Sequence, residues 1–176
     1  MADGYLSDSG MAYGAKVPVP EFILALRARV GHAPLWLAGA TAVVLREGPR
    51  GEEVLLVRRA DSGEWSPICG IVDPGEDPHV TAVREVQEEA GVVAEVERLV
   101  WVSVTDPVTY SNGDQTQYID HTFRCRWVEG HPFPSDGEAT EARFFAADDL
   151  PDMPAQFGER VIVALANEPE AKLGRR

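Results

Sequence analysis

At 176 residues with 44% hydrophobic and 26% charged content, the chain is long enough for one domain with a real core and ordinary in composition for a globular protein. Its 16 Lys plus Arg against 29 Asp plus Glu leave a net charge of −13, which argues against binding long nucleic acid or an anionic membrane surface, since both reward clustered cations. No stretch approaches the roughly 20 apolar residues of a spanning helix, and no basic segment with an apolar run and cleavage site opens the chain, so the expected setting is cytoplasmic.

Residues 1–17 are rich in Gly, Ser, Ala and Asp without hydrophobic periodicity and read as a flexible leader or a partner-contacting arm. A single domain is expected over 18–170, followed by a polar tail over 171–176. Phe22, Ile23, Leu26 and Val30 recur at helical spacing, which predicts an amphipathic helix over Glu21 to Val30 packed on the core or against a second copy in a homodimer. Leu35 to Arg46 and Glu53 to Arg59, rich in Val and Leu, read as adjacent strands around a Gly-Pro-Arg-Gly turn at 48–51. A loop is expected over Asp61 to Ile68. Pro78 suits a first helical turn, Asp77 a cap and Gly91 a stop, which predicts a helix over 78–90 with Val83, Val86 and Ala90 as its apolar stripe. Three further strands follow: Val92 to Thr105 with bends, Gln117 to Val128, and Glu141 to Ala146. A helix is expected over Met153 to Asn167. Strands on both sides of a central helix, with flanking helices, predict an α/β fold in which helices cover a mixed β-sheet.

The helix at 78–90 carries the chemistry. Residues three and four apart are neighbours on a helix, so Glu85, Glu88 and Glu89 project as one acidic patch. Adjacent anions repel, and an all-oxygen donor set matches a hard cation, Mg²⁺ or Mn²⁺, better than zinc. A solvated acidic face would look similar over Glu-x-x-Glu-Glu alone. The wider stretch, however, fits G-x5-E-x7-R-E-U-x-E-E-x-G-U (U apolar) at Gly70, Glu76, Arg84, Glu85, Val86, Glu88, Glu89, Gly91 and Val92. The seven non-apolar positions coincide at a given start with odds on the order of 10⁻⁸, so chance is a poor explanation.

With that pattern the chain resembles the Nudix hydrolases over about residues 35–165. The resemblance implies an α/β/α sandwich and a Mg²⁺-dependent (or Mn²⁺-dependent) hydrolase. The bond cut is the pyrophosphate linkage of a nucleoside diphosphate joined to another group: an ADP-ribose-like compound, a dinucleoside polyphosphate or a nucleoside triphosphate. It implies Glu85, Glu88 and Glu89 as metal ligands with the Gly70 carbonyl, Glu85 or another acid as the group acting on water, and Glu76 with Arg84 as orienting residues. Asp114, Asp120, Glu138 and Glu141 are candidates for an acid outside the motif, Glu138 standing out in a Ser-Asp-Gly-Glu loop. The alternative, a non-catalytic nucleotide-binding module on the same fold, is disfavoured because every motif carboxylate is present.

Substrate contacts are sought among Arg58 and Arg59, of which strand alternation sends at most one to the cleft, and among the aromatics Trp65 and Tyr110. Pro107 matches a position typical of the ADP-ribose branch of the family and Tyr110 one typical of the diadenosine polyphosphate branch, so the two hints conflict. One departure stands out: where relatives have Pro-Gly-Gly before the motif, this chain reads Pro67-Ile68-Cys69-Gly70. Cys69 and Cys125 form no Cys-x-x-Cys or Cys/His cluster and are expected as packed thiols.

Overall fold

The computed structural model describes residues 19–175, so the leader expected over 1–17 lies outside the described residues. Its elements run α1 (Glu21–Val30), β1 (Leu35–Gly48), β2 (Gly51–Arg59), β3 (Trp65–Ser66), β4 (Ile68–Ile71), α2 (Pro78–Ala90), β5 (Val93–Val104), β6 (Val108–Thr109), β7 (Gln115–Glu129), β8 (Ala139–Ala146), α3 (Ala155–Ala166) and β9 (Lys172–Leu173). All the strands join one mixed sheet ordered β3-β2-β1-β7-β5-β9, with β4 on β1, β6 on β7 and β8 on β2. β1 is long because one edge runs parallel to β7 over 35–45, while the other serves β4 at 39–42 and β2 at 45–48. Paired on both edges and covered on both faces, its centre is continuously buried from Gly39 to Leu45.

Alternation along the strands splits the core in two. Ala40, Ala42 and Val44 join Leu55, Val57 and Ile68 under α2, whereas Val43, Leu45, Val54 and Leu56 lie under α3. α2 contributes Ala82, Val86 and Ala90, one side chain every four residues; α3 contributes Val161 and Ala164. Fully buried Val86 is worth roughly 1.5–3 kcal/mol of transfer free energy. The result is an α/β/α sandwich. The expected stripe of α2 is corrected by one position, because Ala82 rather than Val83 is the buried member.

α2 begins with Pro78 and ends at Gly91, which adopts the left-handed conformation (φ 64°, ψ 18°) and donates its N–H to Gln87 O at 3.1 Å. Asp77 caps through its carbonyl, which accepts from Val80 and Thr81, and not through its side chain. In α1 only Ile23 is buried, and Leu26 and Val30 face outward. A polar anchor fixes that helix instead: Arg27 donates to the carbonyls of Gly31, Ala33 and Gln115.

β3 and the first residue of β4 take Trp65, Ser66 and Ile68 from the end of the expected 61–68 loop; two-residue and four-residue strands separated by Pro67 are too short to show a period. The bends expected in the strand after α2 appear as three register irregularities of β5 against β7. Beyond α3, β9 pairs with β5 at Trp101 and Val102, and Trp101 Nε1 donates to Gly174 O at 2.5 Å, which covers an otherwise free sheet edge. No helix among the described residues is long and apolar enough to cross a membrane.

Candidate active site

β4 delivers Gly70 opposite Ala40, on the sheet face that α2 covers. There the Glu85 side chain lies directly over Gly70, where a Cβ would overlap its carboxylate. Helical geometry grades the three motif glutamates: Glu89 is 6% exposed, the Glu85 side chain 13% and the Glu88 side chain 51%. Burial, reinforced by Glu88 and Glu138 and opposed by Arg84, pushes Glu85 up to about 7. Burial and the neighbouring Glu85, Glu138 and Asp136 drive Glu89 well above the carboxylate range, with Arg59 as the opposing cation.

Arg84 orders this patch. It forks onto Glu76 (Nε–Oε1 3.1 Å, Nη2–Oε2 3.0 Å), and its Nη1 donates at 2.9 Å to both Glu85 Oε1 and Glu88 Oε2. The Thr81 hydroxyl also donates to Glu76, at 2.6 Å. Hydrogen bonds from Arg84, with help from Thr81 and against a smaller effect of burial, hold Glu76 below the usual carboxylate range. Arg84 is therefore more than the partner of an i,i+4 surface pair with Glu88, because its fork ties the loop before α2 to the helix.

A fourth acid arrives from the β7–β8 loop. Phe133 N donates to Ala90 O, Ser135 N to Glu89 O and the Ser135 hydroxyl to Glu88 O, so the loop satisfies the free carbonyls at the end of α2. Gly91 makes room for the Phe133 ring, which a Cβ would overlap. Docked this way, the loop brings Asp136 and Glu138 within electrostatic reach of Glu89. Glu138 itself is raised by burial first and then by Asp136.

The other candidates separate. Arg59 pairs with Asp61 (Nε–Oδ1 3.0 Å, Nη2–Oδ2 2.7 Å) and is the cation that opposes Glu89. Arg58 pairs with Glu141 at 2.9 Å, away from the motif glutamates. Trp65 packs edge-on against Phe145, 4.8 Å between ring centroids, in the core under α3. The Tyr110 hydroxyl bonds that of Tyr118 at 2.9 Å, and Asp114 pairs with His32. Asp120 is buried on the α3 face of the sheet and pairs there with Arg160. Arg160 escaped the sequence reading, although its place in the apolar repeat Phe157, Val161, Ala164 signals a buried position. Beside Arg160 a cavity of about 330 Å³ opens, lined also by Ser103, Thr105, Gln156 and Arg175.

The residues present suit a hard divalent cation. Glu85, Glu88, Glu89, Glu138 and the Gly70 carbonyl offer only oxygen, and two of these carboxylates are desolvated beyond what Arg84 and Arg59 compensate. Among the described residues no three acidic, His or Cys side chains stand in ligating geometry, and Arg84 Nη1 bridges Glu85 and Glu88. Glu88, the exposed member, can leave Nη1 by rotating into solvent, whereas Glu85 keeps its own 2.9 Å bond to Arg84.

A family model described as the NUDIX domain matches residues 36–166. Over 113 residues the chain is 36% identical to the NAD-capped RNA hydrolase NudC of Pseudomonas aeruginosa, covering 61% of this chain and 36% of that protein. It thus spans about a third of the length of the NudC relatives it matches. A MutT-like protein of Streptomyces ambofaciens is 30% identical over 133 residues, 75% of this chain and 79% of its own. Among solved structures, an ADP-ribose pyrophosphatase of Streptococcus suis superposes with a TM-score of 0.60 at 23% identity, covering 79% of this chain and 98% of its own. The MutT protein of Methanosarcina mazei gives 0.62 at 20% identity, covering 78% and 99%. With the domain model spanning most of the chain and the motif lying within it, this protein belongs to the Nudix hydrolase family.

Proposed function

We propose that this Nudix hydrolase cleaves the pyrophosphate linkage of a small nucleoside diphosphate joined to a second group, with Mg²⁺ or Mn²⁺ held by Glu85, Glu88, Glu89 and the Gly70 carbonyl. The observation that carries the reading is the convergence of buried Glu85 and Glu89 with Glu138 and Gly70, an arrangement costly in itself and suited to bound positive charge. A divalent cation bound there neutralises phosphate oxygens and stabilises the departing phosphate.

The chain's own groups do the rest. Glu138, whose carboxyl is raised from its ordinary value chiefly by burial, accepts a proton from the attacking water as the water oxygen bonds to phosphorus and the bridging P–O bond breaks. Arg59, on the same side as Glu89, turns its N–H fork from Asp61 to the phosphate. Glu76 and Arg84 keep the ligand carboxylates aimed. The similarity to NAD-capped RNA hydrolases supports a dinucleotide-type linkage, and the net charge of −13 favours a small molecule over an RNA chain.

The test is a panel of ADP-ribose, NAD, nucleotide sugars, dinucleoside polyphosphates, normal and oxidised nucleoside triphosphates, and NAD-capped RNA, each with Mg²⁺ and with Mn²⁺. The expected result is the highest kcat/KM for a small member carrying one pyrophosphate. Hydrolysis of none of them with either cation contradicts the proposal.

A further inference from the structure

Behind Gly70, on the α3 face of the sheet, polar side chains from four elements meet, all of them buried except the half-buried Cys69. Asp120 on β7 is 4% exposed and Arg160 on α3 5%, with Arg160 Nε 3.4 Å from Asp120 Oδ2. Thr41 on β1 donates its hydroxyl to Asp120 Oδ1 and Thr122 donates to Oδ2, each at 2.8 Å. Cys69 on β4 joins them: its Sγ lies 3.4 Å from Thr41 Oγ1 and 3.7 Å from Arg160 Nη1, and its S–H donates to Pro67 O at 3.3 Å. Thus α3 and β1 contact the residue immediately before Gly70, and Asp120 on β7 holds both of the contacting side chains.

Stability alone does not account for this arrangement. Desolvating a carboxylate and a guanidinium costs several kcal/mol per ion, and apolar side chains of similar size often replace such a pair at no loss. A registry role fits better. β4 has only four residues and meets β1 over 39–42, so its own backbone pairing fixes it weakly. A slip of one residue would exchange Cys69 and Gly70 between the two faces. A slip that put Cys69 in the place of Gly70 would set a Cβ against the Glu85 carboxylate.

We infer that Asp120 and Arg160 are positioning residues: acting through Thr41 and Cys69, they lock the register of β4 and so hold the Gly70 carbonyl and Glu85 in place for the cation. This rests on the metal-dependent reading given above. Neither residue touches the motif glutamates; the effect passes through β4.

Two variants test it, the apolar double replacement Asp120→Leu with Arg160→Met, and Thr41→Val, which cuts the link to both Asp120 and Cys69. Two quantities are read: Mn²⁺ affinity from the electron paramagnetic resonance signal of free Mn²⁺, and unfolding by urea in EDTA. Expected is a 10- to 100-fold loss of Mn²⁺ affinity in the double variant while its urea midpoint stays at or above wild type, and a smaller loss in Thr41→Val. Folded variants that bind Mn²⁺ as tightly as wild type overturn the positioning role and leave the metal reading intact. A wild-type protein that binds no Mn²⁺ overturns both. If the double variant does not fold, Thr41→Val decides between the same outcomes.

Discussion

Gly70 and Glu85 fill one space from opposite sides: the glutamate side chain lies where any residue other than glycine would put its Cβ. Gly70→Ala must therefore displace either β4 or Glu85. A displacement of about 1 Å at a reacting centre costs on the order of 10² in rate. The variant is expected to keep its circular dichroism spectrum and lose about that factor in kcat with Mg²⁺. Wild-type kcat in a folded Gly70→Ala protein would remove the link between the glycine and the site.

A dependence of metal-free stability on pH follows from Glu85. In the unfolded chain this group ionises near 4.5, in the fold near about 7. Between those values the folded protein keeps a proton that the unfolded chain has lost, so the contribution is complete below the ordinary value and is lost as pH rises through about 7. Thermal unfolding in EDTA is expected to show Tm falling from pH 5 to pH 8, and Mg²⁺ to raise Tm more at pH 8 than at pH 5. A Glu85→Gln variant should make the EDTA profile shallower, Glu89 supplying what slope remains. An EDTA profile that rises over this interval in wild type and is unchanged in Glu85→Gln contradicts the assignment.

Gly91 couples helix termination to the fourth acid. Its φ of 64° is unfavourable for other residues by about 1–2 kcal/mol, and a Cβ there overlaps Phe133, which anchors the loop that carries Glu138. Gly91→Ala is expected to lower stability by at least that amount in urea and to reduce kcat, whereas Phe133→Ala reduces kcat with a smaller change in stability. Equal turnover in all three proteins would mean that loop docking has no part in the reaction.

Much of this was legible beforehand, and the exceptions have physical causes. The bounds of α1 and α2 follow from Pro, Gly and the helical period, and the motif glutamates from their spacing. Glu138 could be named as an acid in a loop, but its position depends on Ser135 and Phe133 finding the carbonyls of α2, a contact spanning more than forty residues that no local pattern encodes. Alternation gives Asp120 a face of its strand without telling that Arg160 will cover it. Trp65 and Tyr110 had the chemistry to stack on a base, yet Phe145 and Tyr118 engage them within the fold.

The thiols provide a separate check on packing. Burial, against Arg160, pushes Cys69 up to about 11, and burial pushes Cys125 up to about 12. A raised thiol pKa leaves the neutral, unreactive form in place at pH 8. The native protein is expected to react slowly with a disulfide reagent at that pH and to titrate two thiols at once in denaturant. Fast native labelling of Cys69 would show that the network around it is open.

The most direct test of the central claim compares wild type with Glu89→Gln, using the best substrate from the panel at saturating Mg²⁺. Glu89 is the most buried of the motif carboxylates, and its neutral isostere preserves shape while removing the charge that the cation requires. A fall in kcat on the order of 10³, together with unchanged or higher stability in EDTA, is the predicted result. Turnover equal to wild type in the folded variant would contradict the assignment of this cluster as the catalytic metal site.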